Sequence, residues 1–160
     1  MKIAVHAVGR MKSGPETDLA ARYFDRFARS GGALGLDFAG VTEVVESRLP
    51  SAAERMRDEA SRLSGVLSDG SALILLDERG KTISSRQFAE LLARLRDEGT
   101  RQAVLAVGGP DGHDQILRGR AANVLSFGAM TWPHQLVRIM LAEQLYRAAT
   151  ILSGHPYHRD

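Results

Sequence analysis

The chain has 160 residues, of which 44% are hydrophobic and 25% charged, and its formal net charge is only +2. These values are ordinary for a single globular domain, and the net charge by itself does not indicate a polyanionic partner. The absence of cysteine excludes disulfides, thiolate zinc sites and cysteine nucleophiles. Because no apolar stretch approaches the ~20 residues of a membrane span and the start does not resemble a signal peptide, we expect a cytoplasmic protein.

Apolar periodicity predicts strands that alternate with helices along the chain. Strands are expected at 3–8, 36–45, 72–76, 103–107 and 124–127. Helices are expected at 15–28, 51–67, 84–98, 114–122 and 135–152. Residues 46–50 and 78–83 are expected to be loops. This alternation predicts one α/β domain, residues 1–160, built on a mainly parallel sheet.

The last predicted helix, 135–152, carries apolar residues on nearly every face. A helix of this kind has to be buried on most of its sides. In a chain of this size, packing against a second subunit is one way to achieve that burial, and burial within one monomer is the other. We favour a homodimer.

Parallel sheets bind ligands beyond the carboxyl ends of their strands, where the loops 76–81, 108–112 and 128–134 are expected. The sequence Gly-Gly-Pro-Asp-Gly at 108–112 allows a ligand to approach the backbone closely, but a tight turn without a ligand explains it equally well. It matches neither G-x-G-x-x-G nor a Walker motif, so dinucleotide binding and a Walker-type ATPase are unsupported. Met130 and Trp132, in an uncharged loop, must cover either the core or a cofactor pocket.

The chain ends His-Pro-Tyr-His-Arg-Asp, an unusual concentration of functional groups for a terminus, since chain ends are commonly frayed. The pair His155 and His158 has the spacing of half a metal site. Because the chain has no cysteine and no H-E-x-x-H pattern, we predict that it binds no metal. A frayed end and a part of an active site are the other two interpretations.

Five stretches together resemble the motifs of one family. They are AVGRMK at 7–12, LLDERGK at 75–81, VGGPDG at 107–112, LSFGAMTWPHQLVRIMLAEQLYRA at 125–148 and HPYHR at 155–159. The chain resembles the ribosomal RNA large subunit methyltransferase H family of the SPOUT superfamily, densely from about residue 71 and weakly over 13–70. It departs from the pattern at Ala129, where a basic residue is common, and at Trp132, where Phe or Leu is common.

The resemblance implies an α/β SPOUT-type parallel sheet with helices on both faces and a C-terminal trefoil knot. It implies methyl transfer from S-adenosylmethionine to N3 of a pseudouridine in a stem-loop of 23S ribosomal RNA, carried out by a homodimer on the assembled 70S ribosome. Carried over position by position, the residues expected to bind the cofactor are Leu76, Gly109, Gly128, Ala129, Met130, Thr131, Trp132 and Pro133.

With this chemistry, we expect Tyr157, His158 and Arg159 of the partner subunit to close over the methyl group as catalytic residues. An imidazole with an ordinary pKa of about 6.5 is the best proton acceptor near neutral pH, which favours His158 as the base. Tyr157 is expected to stack on or hydrogen-bond the base, and Arg159 to hold a phosphate or a deprotonated imide. Arg138 and Arg147 are candidate RNA contacts, unless they pair with Glu143 or cap their helix.

Two other function classes stay open at the level of sequence. A flavodoxin-like domain would use residues 108–112 to bind a nucleotide such as ATP, FMN or NAD. A non-catalytic dimer that binds RNA or the ribosome would need neither cofactor nor tail, so removal of residues 155–160 would leave its binding unchanged.

Overall fold

The protein's fold is built on one five-stranded parallel sheet, as the alternation of elements predicts. A computed structural model describes residues 1–158, so the prediction for Arg159 lies outside the described residues. The strands are β1 (Lys2–Val8), β2 (Asp37–Val44), β3 (Ser71–Thr82), β4 (Gln102–Val107) and β5 (Asn123–Ser126). Their order in the sheet is β2-β1-β4-β3-β5, and every neighbouring pair is parallel.

Five α-helices connect and follow these strands. They are α1 (Pro15–Gly31), α2 (Ala52–Ser64), α3 (Ser85–Asp97), α4 (Gln115–Arg120) and α5 (His134–Leu152), with a short 3-10 turn at Gly32–Leu34. Ser51 and Glu54 form a reciprocal capping box that starts α2, as their spacing predicts. Ser84 and Gln87 form a second capping box at the start of α3.

The helices cover both faces of the sheet because successive strand residues point to opposite sides. Ile74 belongs to one core cluster, which is completed by α1, α3 and α5. Its neighbours Leu73 and Leu75 belong to a second cluster, which Leu63 of α2 and Leu117 of α4 complete. The predicted α/β class with helices on both faces is therefore confirmed.

Strand β3 differs from its prediction, because residues expected to form a loop belong to it. Leu76 and Lys81 are both in register with Leu125 of β5, so the four residues 77–80 bulge out between them before pairing resumes. Because the bulge is rich in charged residues, the apolar pattern of the sequence does not indicate that the strand resumes after it. At Gly80 a Cβ would lie 2.5 Å from a backbone atom of Leu125, so only glycine fits the crossing. The trefoil knot stays a prediction.

Helix α5 is buried largely within its own chain. Its fully buried residues, Leu141, Ala142, Leu145, Ala148 and Ala149, join the core cluster that also contains residues of α1 and α3. Leu136, in its first turns, is 40% exposed. Burial in one monomer therefore accounts for much of the apolar pattern, and the homodimer stays a prediction. No helix within residues 1–158 combines the length and apolar character that crossing a bilayer requires.

Candidate active site

A cavity of about 410 Å³ opens at the carboxyl edge of the sheet. It lies between the bulge of β3, the loop after β4, the loop after β5 and the first turns of α5. Its volume falls within the range of about 300–1,000 Å³ that is usual for small-molecule sites. Three loops chosen from sequence as possible ligand-binding loops thus surround one space.

The glycine-rich loop 108–112 forms the floor of this cavity. Gly112 donates its N–H to the carbonyl of Gly109 at 3.0 Å and takes a left-handed φ of 82°, which closes a tight turn. At Gly109 a Cβ would lie 3.0 Å from both the Glu59 carboxylate and Val8 Cγ1. The loop is therefore packed from below as well as open to the cavity above, and both of the sequence interpretations, turn and ligand approach, fit its geometry.

Helix α2, which packs on the face of the sheet that carries Leu73 and Leu75, anchors the floor. Arg55 forms a two-pronged ion pair with Asp111, at 2.7 Å from Nε and 3.1 Å from a terminal nitrogen. This contact lowers the pKa of Asp111 and raises the pKa of Arg55. Beside it, the buried Glu59 accepts a hydrogen bond from the Ser47 N–H at 2.9 Å, and burial raises the pKa of the Glu59 carboxyl.

Two buried histidines lie under the same loop. Burial lowers the pKa of His6, and the neighbouring His113 lowers it further. Burial also lowers the pKa of His113, whose Nε2 lies 3.2 Å from the Leu76 carbonyl. Among the described residues, neither ring nitrogen of His6 has a hydrogen-bond partner. Burial therefore favours the neutral form of both rings.

The loop after β5, residues 127–133, forms an open wall of the cavity. Among the described residues its hydrogen bonds are few. Ser126 Oγ donates to the Gly128 carbonyl at 2.8 Å and accepts the Gly128 N–H at 3.2 Å, Thr131 donates to Glu78 at 3.3 Å, and the Pro133 carbonyl accepts the Val137 N–H at 3.1 Å. Met130 is 70% exposed and Trp132 39% exposed. Large apolar side chains in such positions are free to contact a ligand or another subunit.

A buried carboxylate marks the bulge side of the cavity. The Asp77 side chain is only 3% exposed and lies 2.8 Å from the Arg118 guanidinium, which is 23% exposed. Its other oxygen accepts the Arg79 N–H at 3.0 Å and so shapes the bulge. Asp77, Arg79, Asp111 and Arg118 all line the cavity. No sequence pattern singles out any of these four side chains as a site residue, although Asp77 lies within LLDERGK and Asp111 within VGGPDG.

Almost every residue predicted to bind a cofactor lines this cavity. The lining residues among them are Leu76, Gly109, Gly128, Met130, Thr131, Trp132 and Pro133. Ala129 is exposed and is not part of the lining. Binding of a cofactor by these residues stays a prediction.

The C-terminal tail lies against α5, away from the cavity of its own chain. The Tyr157 hydroxyl donates to Glu143 at 3.2 Å, and the Tyr157 ring centroid lies 4.7 Å from that of Tyr146. Burial, together with hydrogen bonds to Tyr23 and Glu143, raises the pKa of Tyr157. Since a helix rises 1.5 Å per residue, the Arg147 turn that contacts the tail lies about 20 Å along α5 from the cavity at His134.

The chain matches a known protein family along nearly its whole length. The family described as "Predicted SPOUT methyltransferase" matches residues 1–158. The chain belongs to the SPOUT methyltransferase family. It is 67% identical to the "Ribosomal RNA large subunit methyltransferase H" of Mesorhizobium japonicum over 99% of each chain. It is 60% identical to the protein of the same name from Brucella anthropi over the whole of both chains, and 60% identical to that of a Chelativorans species over the whole of this chain and 92% of the relative.

One of the two candidate RNA contacts of this SPOUT methyltransferase occupies a position that prevents the predicted role. Arg138 is only 1% exposed. It donates to Glu43 at 2.6 Å, to the Val8 carbonyl at 2.7 Å and to the Gly9 carbonyl. Neither proposed alternative, pairing with Glu143 or capping the helix, describes it. In this conformation the guanidinium has no surface to offer to RNA, because it ties α5 to the end of β1.

The second candidate, Arg147, follows the alternative interpretation. It pairs with Glu143 at 2.5 Å, one helical turn away. Its guanidinium also lies 5.0 Å from the centroid of the Tyr157 ring and 3.5 Å from His158 Nδ1. Arg147 therefore contacts the tail in this structure, and an RNA contact stays a prediction.

Within the described part of the chain, the two histidines of the tail make different contacts. His155 Nδ1 accepts the Tyr157 N–H at 3.1 Å, whereas His158 faces Arg147. Within residues 1–158, no group of three or more His, Cys, Asp or Glu side chains has the arrangement of a metal site.

Proposed function

We propose that this SPOUT methyltransferase transfers a methyl group from S-adenosylmethionine to N3 of a pseudouridine in a 23S ribosomal RNA stem-loop, acting in the cytoplasm as a homodimer on the assembled 70S ribosome. The observation that carries the proposal is the single cavity that three motif-bearing loops enclose. The full-length relatives named ribosomal RNA large subunit methyltransferase H support the choice of substrate.

The cavity fits S-adenosylmethionine in size and in character. Gly108 and Gly109 line the cavity without side chains, so their backbone groups are within reach of a ligand. The wall supplies Met130 and Trp132, and the first turn of α5 supplies Val137, for an adenine or an aliphatic chain. When bound, the cofactor supplies an electrophilic methyl group on a sulfonium sulfur.

A homodimer would bring the tail to the cavity. Within one chain, Tyr157 and His158 lie at the opposite end of α5 from the cavity, so they cannot reach it in this conformation. If a partner chain packed along α5, the tail of that partner would lie close to the cavity. The exposed Leu136, beside the cavity mouth, gives an apolar surface to such a partner.

The tail would then accept the proton that leaves N3 of the target nucleobase. In this structure His158 Nδ1 lies 3.5 Å from a guanidinium nitrogen of Arg147, a group that can only donate. His158 has to leave Arg147 before Nδ1 can accept a proton from the substrate. Tyr157 would stack on or hydrogen-bond the target, and Arg159 would stabilise negative charge on the imide or hold a phosphate.

The first test is transfer of a labelled methyl group to 70S ribosomes from a strain that lacks the modification, followed by mass spectrometry of the rRNA. One N3-methylpseudouridine in 23S rRNA is expected. No transfer by a protein that still binds S-adenosylmethionine would refute the proposed acceptor. No binding of S-adenosylmethionine, with binding of ATP, FMN or NAD instead, would refute the cofactor.

The His158→Ala variant tests the tail. We expect a fall in turnover of roughly 10²–10⁴-fold, the usual contribution of a general base, with unchanged cofactor affinity. Wild-type turnover with normal cofactor binding would rule out the base role. Removal of residues 155–160 gives a second check, since a non-catalytic ribosome-binding protein would lose nothing.

A further inference from the structure

We infer that Arg10 and Lys12, on the loop after β1, and Arg79, on the bulge of β3, grip RNA phosphates on the two sides of the cavity. The inference rests on the proposed RNA substrate and names the surface of this chain that contacts it. It replaces the buried Arg138 as the main RNA-binding group.

The sheet order places these cations on opposite flanks of the cavity floor. Strand β4, which leads into the floor, lies between β1 and β3. Parallel strands end at the same edge of a sheet. The loop that follows β1 and the bulge of β3 therefore lie on opposite sides of the glycine-rich turn. Arg79 lines the cavity itself. Next to Arg10, a Cβ on Gly9 would lie 3.5 Å from Nε2 of His134, another lining residue.

The loop after β1 is held in place through its backbone rather than through its basic side chains. Arg138 binds the Gly9 carbonyl, and the Met11 N–H donates to Glu43 at 3.1 Å. The Thr17 hydroxyl donates to the Lys12 carbonyl at 2.5 Å. Because these contacts fix the backbone, the two cations need little further ordering to bind a ligand, which lowers the entropic cost of binding.

The side chains of the three cations are exposed to solvent. Across residues 1–158, the side chains of Arg10, Lys12 and Arg79 make no hydrogen bond or ion pair. Three other arginines at this edge are already paired: Arg138 with Glu43, Arg118 with Asp77 and Arg55 with Asp111.

Besides the three carboxylates in these pairs, two further carboxylates belong to this edge. They are Glu46, beside Gly9, and Glu78, which accepts from Thr131. Guanidinium and ammonium groups that have no protein partner suit phosphate oxygens, and guanidinium can bind them through two nitrogens. Phosphate contacts of this kind orient a nucleic acid without reading its sequence.

The test compares two double variants that remove equal charge. Arg10→Gln/Lys12→Gln alters the flank of the cavity, and Lys2→Gln/Arg101→Gln removes two exposed cations from the opposite, amino edge of the sheet. For each, methylation of 70S ribosomes is measured against salt concentration, and affinity for S-adenosylmethionine is measured by calorimetry. Arg79→Gln is measured as a single change, and Arg10→Lys/Lys12→Arg keeps the charge.

We expect the flank variant to raise the KM for ribosomes about fivefold to tenfold at ~0.1 M salt and to lower the log–log salt slope by about 1.5, the loss of two phosphate contacts. Arg79→Gln should lower the slope by about 0.7. The flank variant should keep wild-type affinity for the cofactor, and the amino-edge variant should match wild type in KM and salt slope. The charge-preserving variant should keep the wild-type salt slope, because the number of cations is unchanged.

Equal effects of the flank and amino-edge variants would overturn the inference, because they would indicate only a general charge effect. Loss of cofactor affinity in the flank variant would also overturn it. If the wild-type protein methylates no ribosome at all, the proposed function fails instead, and that result is visible before any variant is compared.

Discussion

The floor and the wall of the cavity are built in opposite ways. The floor, residues 108–112, is fixed by a turn hydrogen bond, by the Arg55–Asp111 pair and by the buried Glu59 beneath it. The wall, residues 127–133, has few hydrogen bonds and leaves Met130 70% exposed. A site that must hold one ligand and admit a large second one benefits from a rigid surface on one side and an adaptable surface on the other.

This difference predicts how variants should behave. Changes in the floor should alter both the stability of the protein and its affinity for a cofactor, because the floor is part of the packed structure. Changes in the wall should alter binding with little effect on stability.

The largest effect is expected from Gly109→Ala. The added Cβ would lie 3.0 Å from both Glu59 and Val8, so the loop or its support must shift. Overpacking of this kind costs about 1–3 kcal/mol of unfolding free energy, and we expect cofactor affinity to fall about tenfold. Urea unfolding and calorimetry measure the two effects.

Gly119→Ala is the matched control for that change. Gly119 lies in α4, and a Cβ there would meet nothing within 4 Å. Alanine should therefore leave the cofactor site unchanged and raise stability by up to about 1 kcal/mol. If both alanine variants behaved alike, the floor would not be tightly packed.

The floor also shows what the sequence was able to predict. The glycine-rich motif and its place after a buried strand located the loop correctly, because strand endings and glycines are local features. Its anchors Arg55 and Glu59 come from α2, and the ion pair joins residues 56 positions apart. No local pattern reports such a pairing, and α2 lies in the stretch where the family resemblance is weak.

The same limit explains the misplaced arginine. In the sequence, Arg138 is a charged residue within a predicted helix, and charged residues are usually exposed at the surface. Its partners, Glu43 and the end of β1, are more than 90 residues away in sequence. Only the packing of α5 across the sheet reveals that the cation satisfies strand-end carbonyls.

A smaller effect is expected when the floor loses its anchor. Asp111→Asn removes the charge that Arg55 binds through two nitrogens, which frees the turn. We expect cofactor affinity to fall about threefold to tenfold and the urea midpoint to fall as well. Asp58→Asn, which breaks the Asp58–Arg62 pair on the same helix, is the control and should leave cofactor affinity unchanged.

A double variant checks that interpretation. If Asp111 acts through Arg55, then Arg55→Gln combined with Asp111→Asn should weaken cofactor binding no more than Asp111→Asn does. Additive losses would mean that each side chain contacts the cofactor independently.

The support under the floor should make the protein sensitive to acid. Burial lowers the pKa of His6 and of His113, so below pH ~6.5 the unfolded chain binds more protons than the folded one. Stability is therefore lost as pH falls from about 6.5 toward the lowered values. Glu59 acts in the opposite direction, because its raised pKa favours the folded state at low pH and disfavours it as pH rises.

Two variants separate these contributions when urea midpoints are measured between pH 7 and pH 5. His6→Leu should flatten the pH dependence, since it removes a buried ring whose two nitrogens lack partners among the described residues. Glu59→Gln should make the loss of stability on acidification steeper. An unchanged slope in both variants would show that other groups control the response to acid.

The smallest effect on stability is expected in the wall. Met130→Ala removes an exposed side chain, so the free energy of unfolding should change by no more than about 0.5 kcal/mol. If the side chain covers the cofactor, loss of roughly 1 kcal/mol of apolar contact should weaken its binding about fivefold. If a partner subunit covers it, the dimer dissociation constant should rise instead. Calorimetry and analytical ultracentrifugation on the same variant distinguish these outcomes, and a destabilised monomer would show that the wall, like the floor, is part of the packed structure.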